Sequence, residues 1–309
     1  MKVVSISHAI DPDGIGSQAI IFRYFRELDI EPIAFLADYH YFEETFEKAV
    51  KLQPDVLIVT DFGWNDSYLK LIDSLKQLKA RTIWIDHHKI SIENRLLLEN
   101  SVDELIIDTS VCAAELVQER FMPDDPVSKE IARIAHNGDF DIEDPLSQMF
   151  YTLIDFRRYS SKGLEEIREM FATGKFDEET IRESYLEAYK AFEADRDRIR
   201  RTTKTIQIAG KSIAVAHSSL LPRGKVTKFL SEFREEDILL AIDTTSVRVG
   251  LRSSRYDVAA IAKALGGGGH RHRSGFNYQN ALNEKKELTN IFLKDLEEAI
   301  QKTTSEKDR

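Results

Sequence analysis

Apolar positions in the first third of the chain follow two alternating patterns. KVVSIS, EPIAFLA, DVLIVTD and RTIWIDHH read as strands, and DVLIVTD carries the apolar run of a strand buried on both faces. Between them, QAIIFRYFREL, YFEETFEKAVKL and SYLKLIDSLKQL place apolar residues three and four apart, which predicts amphipathic helices. ELIIDTS is a candidate fifth strand. Strand–helix alternation around buried strands predicts a parallel sheet flanked by helices. From Val111 to about Ala172 the pattern turns mostly helical.

Residues 177–204 form a long charged stretch without Gly or Pro and with a thin apolar stripe. The pattern changes on either side of it, so it is read as a helical connector between two domains. Beyond it, TIQIAGKSIAVAHS reads as a hairpin turning at Ala209-Gly210. VTKFLSEF reads as a helix, DILLAIDTTSVRVGLRSS as two strands, and YDVAAIAKALGGGGH as a helix ending in glycines. EKKELTNIFLKDLEEAI predicts a last helix, and TTSEKDR a frayed end. The fold class is therefore α/β: a parallel-sheet domain over 1–176, a connector helix over 177–204, and a smaller α/β domain over 205–309.

Composition narrows the function classes. The chain has 309 residues, enough for two domains, and 42% are hydrophobic, enough for cores in both. No apolar run approaches the ~20 residues that span a bilayer, and the apolar start reads as a strand, not a signal peptide. The single cysteine, Cys112, allows no intrachain disulfide, so a cytoplasmic home is expected. The formal net charge of −10 argues against a binder of long duplex nucleic acid. It says little about a small anionic substrate, because metals or a few arginines reverse the sign locally.

Candidate chemistry gathers where the strands end. The first strand runs into His8, Asp11 and Asp13, the third into Asp61, and the fourth into Asp86, His87 and His88. Ligands of parallel α/β sheets bind at the carboxyl ends of strands. One aspartate there is ordinarily a turn or helix-cap residue, and one histidine an ordinary buried one. Three strands delivering only Asp and His to one edge point instead to a divalent metal pair. Asp11 and Asp13, two apart on a loop, can serve one ion each, and Asp61 can bridge. Asp139, after the helical segment IARIAHNG, is a further candidate, with His136 and Asp141 competing for its place.

These motifs resemble the DHH phosphoesterase family, named for the triplet that stands here as Asp86-His87-His88. SHAIDPDGIGS, VTDFG, IDHH and HNGDF are similar to its first four motifs. GGGGHRHRSGF, residues 266–276, is similar to the glycine–histidine signature of the DHH-associated C-terminal domain. The resemblance implies metal ligands His8, Asp11, Asp13, Asp61, His87 and Asp139, with Asp61 bridging. It implies that Asp86 orients a neighbouring imidazole and that His88 faces the scissile phosphate. The spacing His8-x-x-Asp11-x-Asp13 differs by one residue from the family patterns, which leaves open which aspartate serves which ion.

The glycine-rich segment also has a reading of its own. Consecutive glycines let backbone N–H groups approach an anion, and His270, Arg271, His272 and Arg273 bring positive charge to the same spot. Arg252 is a second candidate phosphate clamp. In the family the histidine and arginine hold a terminal phosphate or nucleotide end, so the substrate-binding set is Arg252, Gly268, Gly269, His270 and Arg271. The expected enzyme is a phosphodiesterase using two divalent ions, manganese before magnesium. It cleaves short oligoribonucleotides or linear dinucleotides to nucleoside monophosphates. The alternatives are a 3′,5′-bisphosphate nucleotide phosphatase, a cyclic nucleotide phosphodiesterase, or a silent nucleotide-binding regulator. Expected partners are the short RNA or dinucleotide alone, with no long duplex and no membrane; a homodimer is left open.

Overall fold

The computed structural model describes residues 1–305, so the tail expected to fray lies from 306 onward outside the described residues. The chain divides into two compact units, Met1–Ala188 and Tyr189 onward. The boundary falls inside the long helix read as a connector.

The first unit contains β1 (Val3–His8), α1 (Pro12–Arg26), β2 (Ile33–Ala37), α2 (Phe42–Lys51), β3 (Val56–Thr60), α3 (Ile72–Gln77), β4 (Arg81–Asp86), α4 (Ile92–Glu99) and β5 (Glu104–Ile107). Helices α5 (Ala113–Phe121), α6 (Pro126–Asp139), α7 (Pro145–Arg157) and α8 (Ser161–Ala172) follow, then α9 (Glu178–Thr202). The sheet order is β2-β1-β3-β4-β5, and every pair is parallel. Alternate residues of the strands serve two cores. Val4, Ile6, Leu57, Val59 and Trp84 pack with α2, α3 and α4. Val3, Ile58, Ile83 and Ile85 pack with α1 and α5 to α8. β1 and β3 are buried at every residue; β3 reads accordingly as an apolar run, whereas β1 also buries Ser5, Ser7 and His8. Strand order reverses between β1 and β3, so the segments leaving them diverge and open a crevice at their carboxyl ends.

Two local readings change. In SYLKLIDSLKQL, Asp66–Leu71 is a 3-10 helix, and only Ile72–Gln77 is α. Helix α4 escapes a periodicity reading because its apolar residues do not share a face: Leu98 is buried while Ile92 and Leu96 are exposed. Its start is nevertheless marked, since Ser91 Oγ accepts the Asn94 N–H as an N-cap.

The second unit contains β6 (Lys204–Ile208), β7 (Lys211–Ser218), α10 (Arg223–Leu230), β8 (Ile238–Asp243), β9 (Arg248–Arg252), α11 (Val258–Ala264), β10 (Gly268–His270), β11 (Arg273–Asn277) and α12 (Asn290–Ser305). Its sheet has the order β10-β11-β9-β8-β7-β6, antiparallel except for β7 with β8. Ile213, Leu240, Val249, Leu251, Phe276 and Phe292 lie in its core. The β6–β7 hairpin turns at Ala209 and Gly210, both at positive φ, as a two-residue turn of matching twist requires. The glycine run is not a free loop: Gly268 and Gly269 belong to β10, paired to β11. The last helix starts later than its pattern suggests. Asn283 Oδ1 accepts the Lys285 and Glu287 N–H groups in a turn, and Thr289 Oγ1 accepts the Phe292 N–H.

No helix among the described residues is long and apolar enough to cross a membrane.

Candidate metal centre

The loop after β1 is shaped by Asp11 and Gly14. Asp11 Oδ1 caps α1 by accepting the Gly14 N–H at 3.0 Å, which leaves Oδ2 to lie 2.8 Å from His8 Nδ1. A Cβ at Gly14 would stand 2.2 Å from the His8 carbonyl oxygen, so only glycine lets α1 begin against the end of β1. Asp13, in the first turn of α1, is fixed from another side. Its two oxygens accept the N–H groups of Ala113 and Ala114 at the start of α5, at 2.9 and 2.7 Å.

Asp61 follows β3 in the left-handed region, φ 58°, which aspartate adopts more readily than most residues. Its N–H donates to the Ile85 carbonyl of the adjacent strand. That conformation aims the buried carboxylate two ways. Oδ2 lies 3.3 Å from His8 Nδ1, and Oδ1 lies 3.4 Å from His87 Nε2. His87 continues the chain of contacts, with Nε2 3.5 Å from Asp13 Oδ2 and Nδ1 3.5 Å from Asp139 Oδ2. Asp139, the last residue of α6, thus joins residues from three strand ends.

The result is two interlocked groups able to hold an ion: His8, Asp11 and Asp61, and Asp13, His87 and Asp139. Asp61 also groups with His87 and His88. His136 and Asp141, the competitors of Asp139, join none of these groups. The fit to a cation is visible in the donor atoms. His8 Nδ1 and Nε2 and Asp61 Oδ2 are buried without a hydrogen bond, although their neighbours lie close. Buried polar atoms are rarely left so, and lone pairs converging from carboxylate and imidazole suit a hard divalent ion.

Electrostatics agree. Burial and the Asp61 charge push the Asp13 carboxyl well above the usual carboxylate range. Burial opposes a charge on His8, yet Asp11 and Asp61 outweigh it and raise its pKa well above the ordinary value. His87 is likewise raised against its burial by Asp61, Asp13 and Asp139. In other words, the cluster attracts positive charge.

His88 takes a different position. Its Nδ1–H donates to Asp86 Oδ1 at 2.8 Å, and its N–H donates to Asp86 Oδ2. Asp86 is buried, so the ring is fixed from behind while the side chain stays 41% exposed. Its Nε2 lies 3.4 Å from the Tyr39 hydroxyl, which accepts the Gly63 N–H. A Cβ at Gly63 would stand 2.8 Å from His88 Cβ, which accounts for the glycine of VTDFG.

Two phenols at the centre carry no sequence signal. Tyr39 sits edge-on to His8 at 5.2 Å. Tyr151 on α7 packs on Gly138, where a Cβ would come within 2.4 Å of its ring. Burial, then Asp11, Asp139, Asp13 and Asp61, raise the Tyr151 pKa, so its hydroxyl stays protonated beside the carboxylates.

In the second unit, two ranks of residues cross β10, β11 and β9. One is His270, Arg273 and Arg252; the other is Gly268, Gly275 and Gly250. Arg252 and Arg273 are directly opposed, an arrangement that like charges disfavour and an anion relieves. Arg252 Nε is buried without a hydrogen bond. Burial and Arg273 together lower the Arg252 pKa. Gly269, at φ 136°, occupies backbone space closed to other residues. Arg271 and His272 lie in the turn between β10 and β11, and Arg271 is exposed. Arg223, at the start of α10, lies along the glycine rank, where a Cβ on Gly250 would stand 3.0 Å from its Cγ. The sequence gives Arg223 no motif.

Comparison with known proteins agrees with this geometry. Over 293 residues the chain is 25% identical to the uncharacterized protein R106 of Acanthamoeba polyphaga mimivirus, covering 89% of this chain and 67% of that protein. An exopolyphosphatase-related protein from Bacteroides fragilis has a similar fold, with a TM-score of 0.51 at 16% identity over 100% of this chain and 94% of that one. An exonuclease RecJ structure bound to manganese gives 0.57 at 13% identity over 98% and 90%. These likenesses show the fold. Residues 2–138, most of the first unit, match the DHH family, N-terminal domain.

Proposed function

We propose that this protein is a two-metal phosphodiesterase that cleaves short oligoribonucleotides or linear dinucleotides to nucleoside monophosphates. The observation that carries the reading is the pair of ligand groups, His8/Asp11/Asp61 and Asp13/His87/Asp139, meeting where Asp61 faces His8 with one oxygen and His87 with the other. The two groups would each hold one divalent ion, with Asp61 reaching toward both. Structures of RecJ with manganese and with magnesium favour either ion here.

When bound, such ions supply Lewis-acid polarisation of a phosphoryl oxygen and acidify water. The chain's own residues do the rest. Asp61 fixes the spacing of the two groups. Asp86 accepts the Nδ1–H of His88 and, against burial, raises its pKa, which favours the imidazolium whose Nε2–H can donate to a phosphoryl oxygen and steady developing charge. The rank of His270, Arg273 and Arg252 binds substrate phosphate, through a planar guanidinium fork suited to it.

Incubating a labelled five-nucleotide RNA with and without manganese tests the reaction. Metal-dependent release of monophosphates is expected, and a length series from dinucleotide to about a ten-mer should favour the short end. Turnover of adenosine 3′,5′-bisphosphate or a cyclic dinucleotide in preference to every linear oligomer would replace this reading with one of its alternatives. Tight ligand binding that survives Asp61→Ala, with no turnover in the parent, would make the protein a regulator.

A further inference from the structure

One aromatic pair beside the metal centre is unused by the chemistry above. Phe140 follows the ligand Asp139 directly, and its ring stacks on His136 with centroids 4.6 Å apart and planes at 27°. His136 stacks against Phe140, yet Phe140 remains 41% exposed.

The stack is held from two directions. His136 Nδ1–H donates to Glu115 Oε2 at 2.7 Å, and the same oxygen accepts the Cys112 N–H at 2.9 Å. The next amide, that of Ala113, donates to Asp13 Oδ2. Thus the lower ring hangs from the turn of α5 that positions a metal ligand. The upper ring is fixed by its backbone. The Phe140 N–H donates to the His136 carbonyl, the Ile142 N–H returns to the Asn137 carbonyl at 2.8 Å, and Asp141 between them takes φ 54°. Ile142 is 47% exposed, and so is Ile10, at 39%, next to Asp11. Large apolar side chains therefore stand in water beside ligands of both groups.

A ring stacked on an aromatic partner, anchored by its backbone and still exposed to solvent has the form of a base-stacking platform. An inorganic phosphate chain has no surface to place there; a nucleobase has. We propose that Phe140, supported by His136, is the subsite for a nucleobase flanking the scissile phosphate, which makes the substrate a nucleotide and not an inorganic polyphosphate. This rests on the phosphodiesterase reading and assigns it a specificity residue.

The test compares the parent protein with Phe140→Ala, Phe140→Leu and Phe140→Trp, each with manganese. The substrates are diadenylate, the two diadenylates lacking one base or the other, and inorganic tripolyphosphate. Phe140→Ala should raise KM for diadenylate about tenfold with little change in kcat, as loss of one stacked base predicts. Phe140→Trp should restore it. Phe140→Leu, which keeps apolar bulk without a ring, should not. Removing the base that stacks should erase the difference between the parent and Phe140→Ala, and removing the other base should leave it. Diadenylate cleaved with the same KM by parent and Phe140→Ala overturns the platform and leaves the phosphodiesterase standing. Turnover of tripolyphosphate by the parent, with no nucleotide cleaved, overturns both.

Discussion

Asp61 combines a backbone that few side chains accept with a carboxylate that two imidazoles face. Its φ of 58° costs an ordinary L-residue roughly 1–2 kcal/mol, and asparagine and aspartate are the usual exceptions. Asp61→Asn therefore keeps the backbone and removes the charge, while Asp61→Ala removes the charge and adds strain. Both should abolish manganese-dependent turnover. In chelator, Asp61→Asn should melt close to the parent, because Asp13 and Asp139 lose a repelling neighbour while His8 and His87 lose an attracting one. Asp61→Ala should be less stable than Asp61→Asn by about 1 kcal/mol. Activity and thermal melts on the three proteins check this, and full manganese-dependent activity in Asp61→Asn would remove Asp61 from the ligand set. Asp61, like His8 and His87, could be located from sequence because a buried strand ends in an abrupt change from apolar to charged residues. Tyr39, Tyr151 and Arg223 could not. Each lies at its site only because a distant element packs there, and its neighbours in sequence carry no mark of it.

The position of Asp139 depends on how α6 is held, and α6 is tied at its start by Asp125. This residue caps the helix, accepting the Ser128 N–H at 2.7 Å, and forms a two-point ion pair with Arg23 of α1 at 2.8 and 2.9 Å. Arg23 also donates to the Ala172 carbonyl at the end of α8, so one guanidinium joins three helices. Replacing Asp125 with alanine removes a cap and strands a mostly buried arginine, a loss of about 2–3 kcal/mol. Burial alone would raise the Asp125 pKa, but Arg23 and Ser128 hold it below the usual range. A lowered folded-state pKa contributes stability that is complete above the ordinary carboxylate pKa and disappears as pH falls through the lowered value. The difference between parent and Asp125→Ala in urea midpoint should therefore be large at pH 7 and shrink toward pH 3. An equal difference at both would assign the effect to packing. At this scale the sequence marks elements well where burial is two-sided or a turn has a chemical signature, as in β1, β3 and the Ala209-Gly210 hairpin. It marks them poorly where pairing decides, as in β10, whose glycines have no strand preference and are ordered by β11.

For the molecule as a whole, the metal centre gathers groups that are unfavourable together without a cation. Asp11, Asp13, Asp61 and Asp139 approach one another at the crevice of the first unit, and three of the imidazole and carboxylate atoms there have no hydrogen bond. A fold that brings such groups together is less stable than its apolar cores allow, and a ligand that binds only the folded form recovers the difference by mass action. At a hundred times its dissociation constant, each manganese ion should add about 2.7 kcal/mol to the folded state. For a unit of this size that corresponds to a rise of roughly 5–10 °C in melting temperature. Calorimetry of the chelated protein with increasing manganese measures it, with Asp61→Asn as the comparison in which the shift should be much reduced. Equal melting temperatures with and without metal would mean that the clustered acids are neutralised by protons alone, and the case for a resident ion pair would fall with the shift.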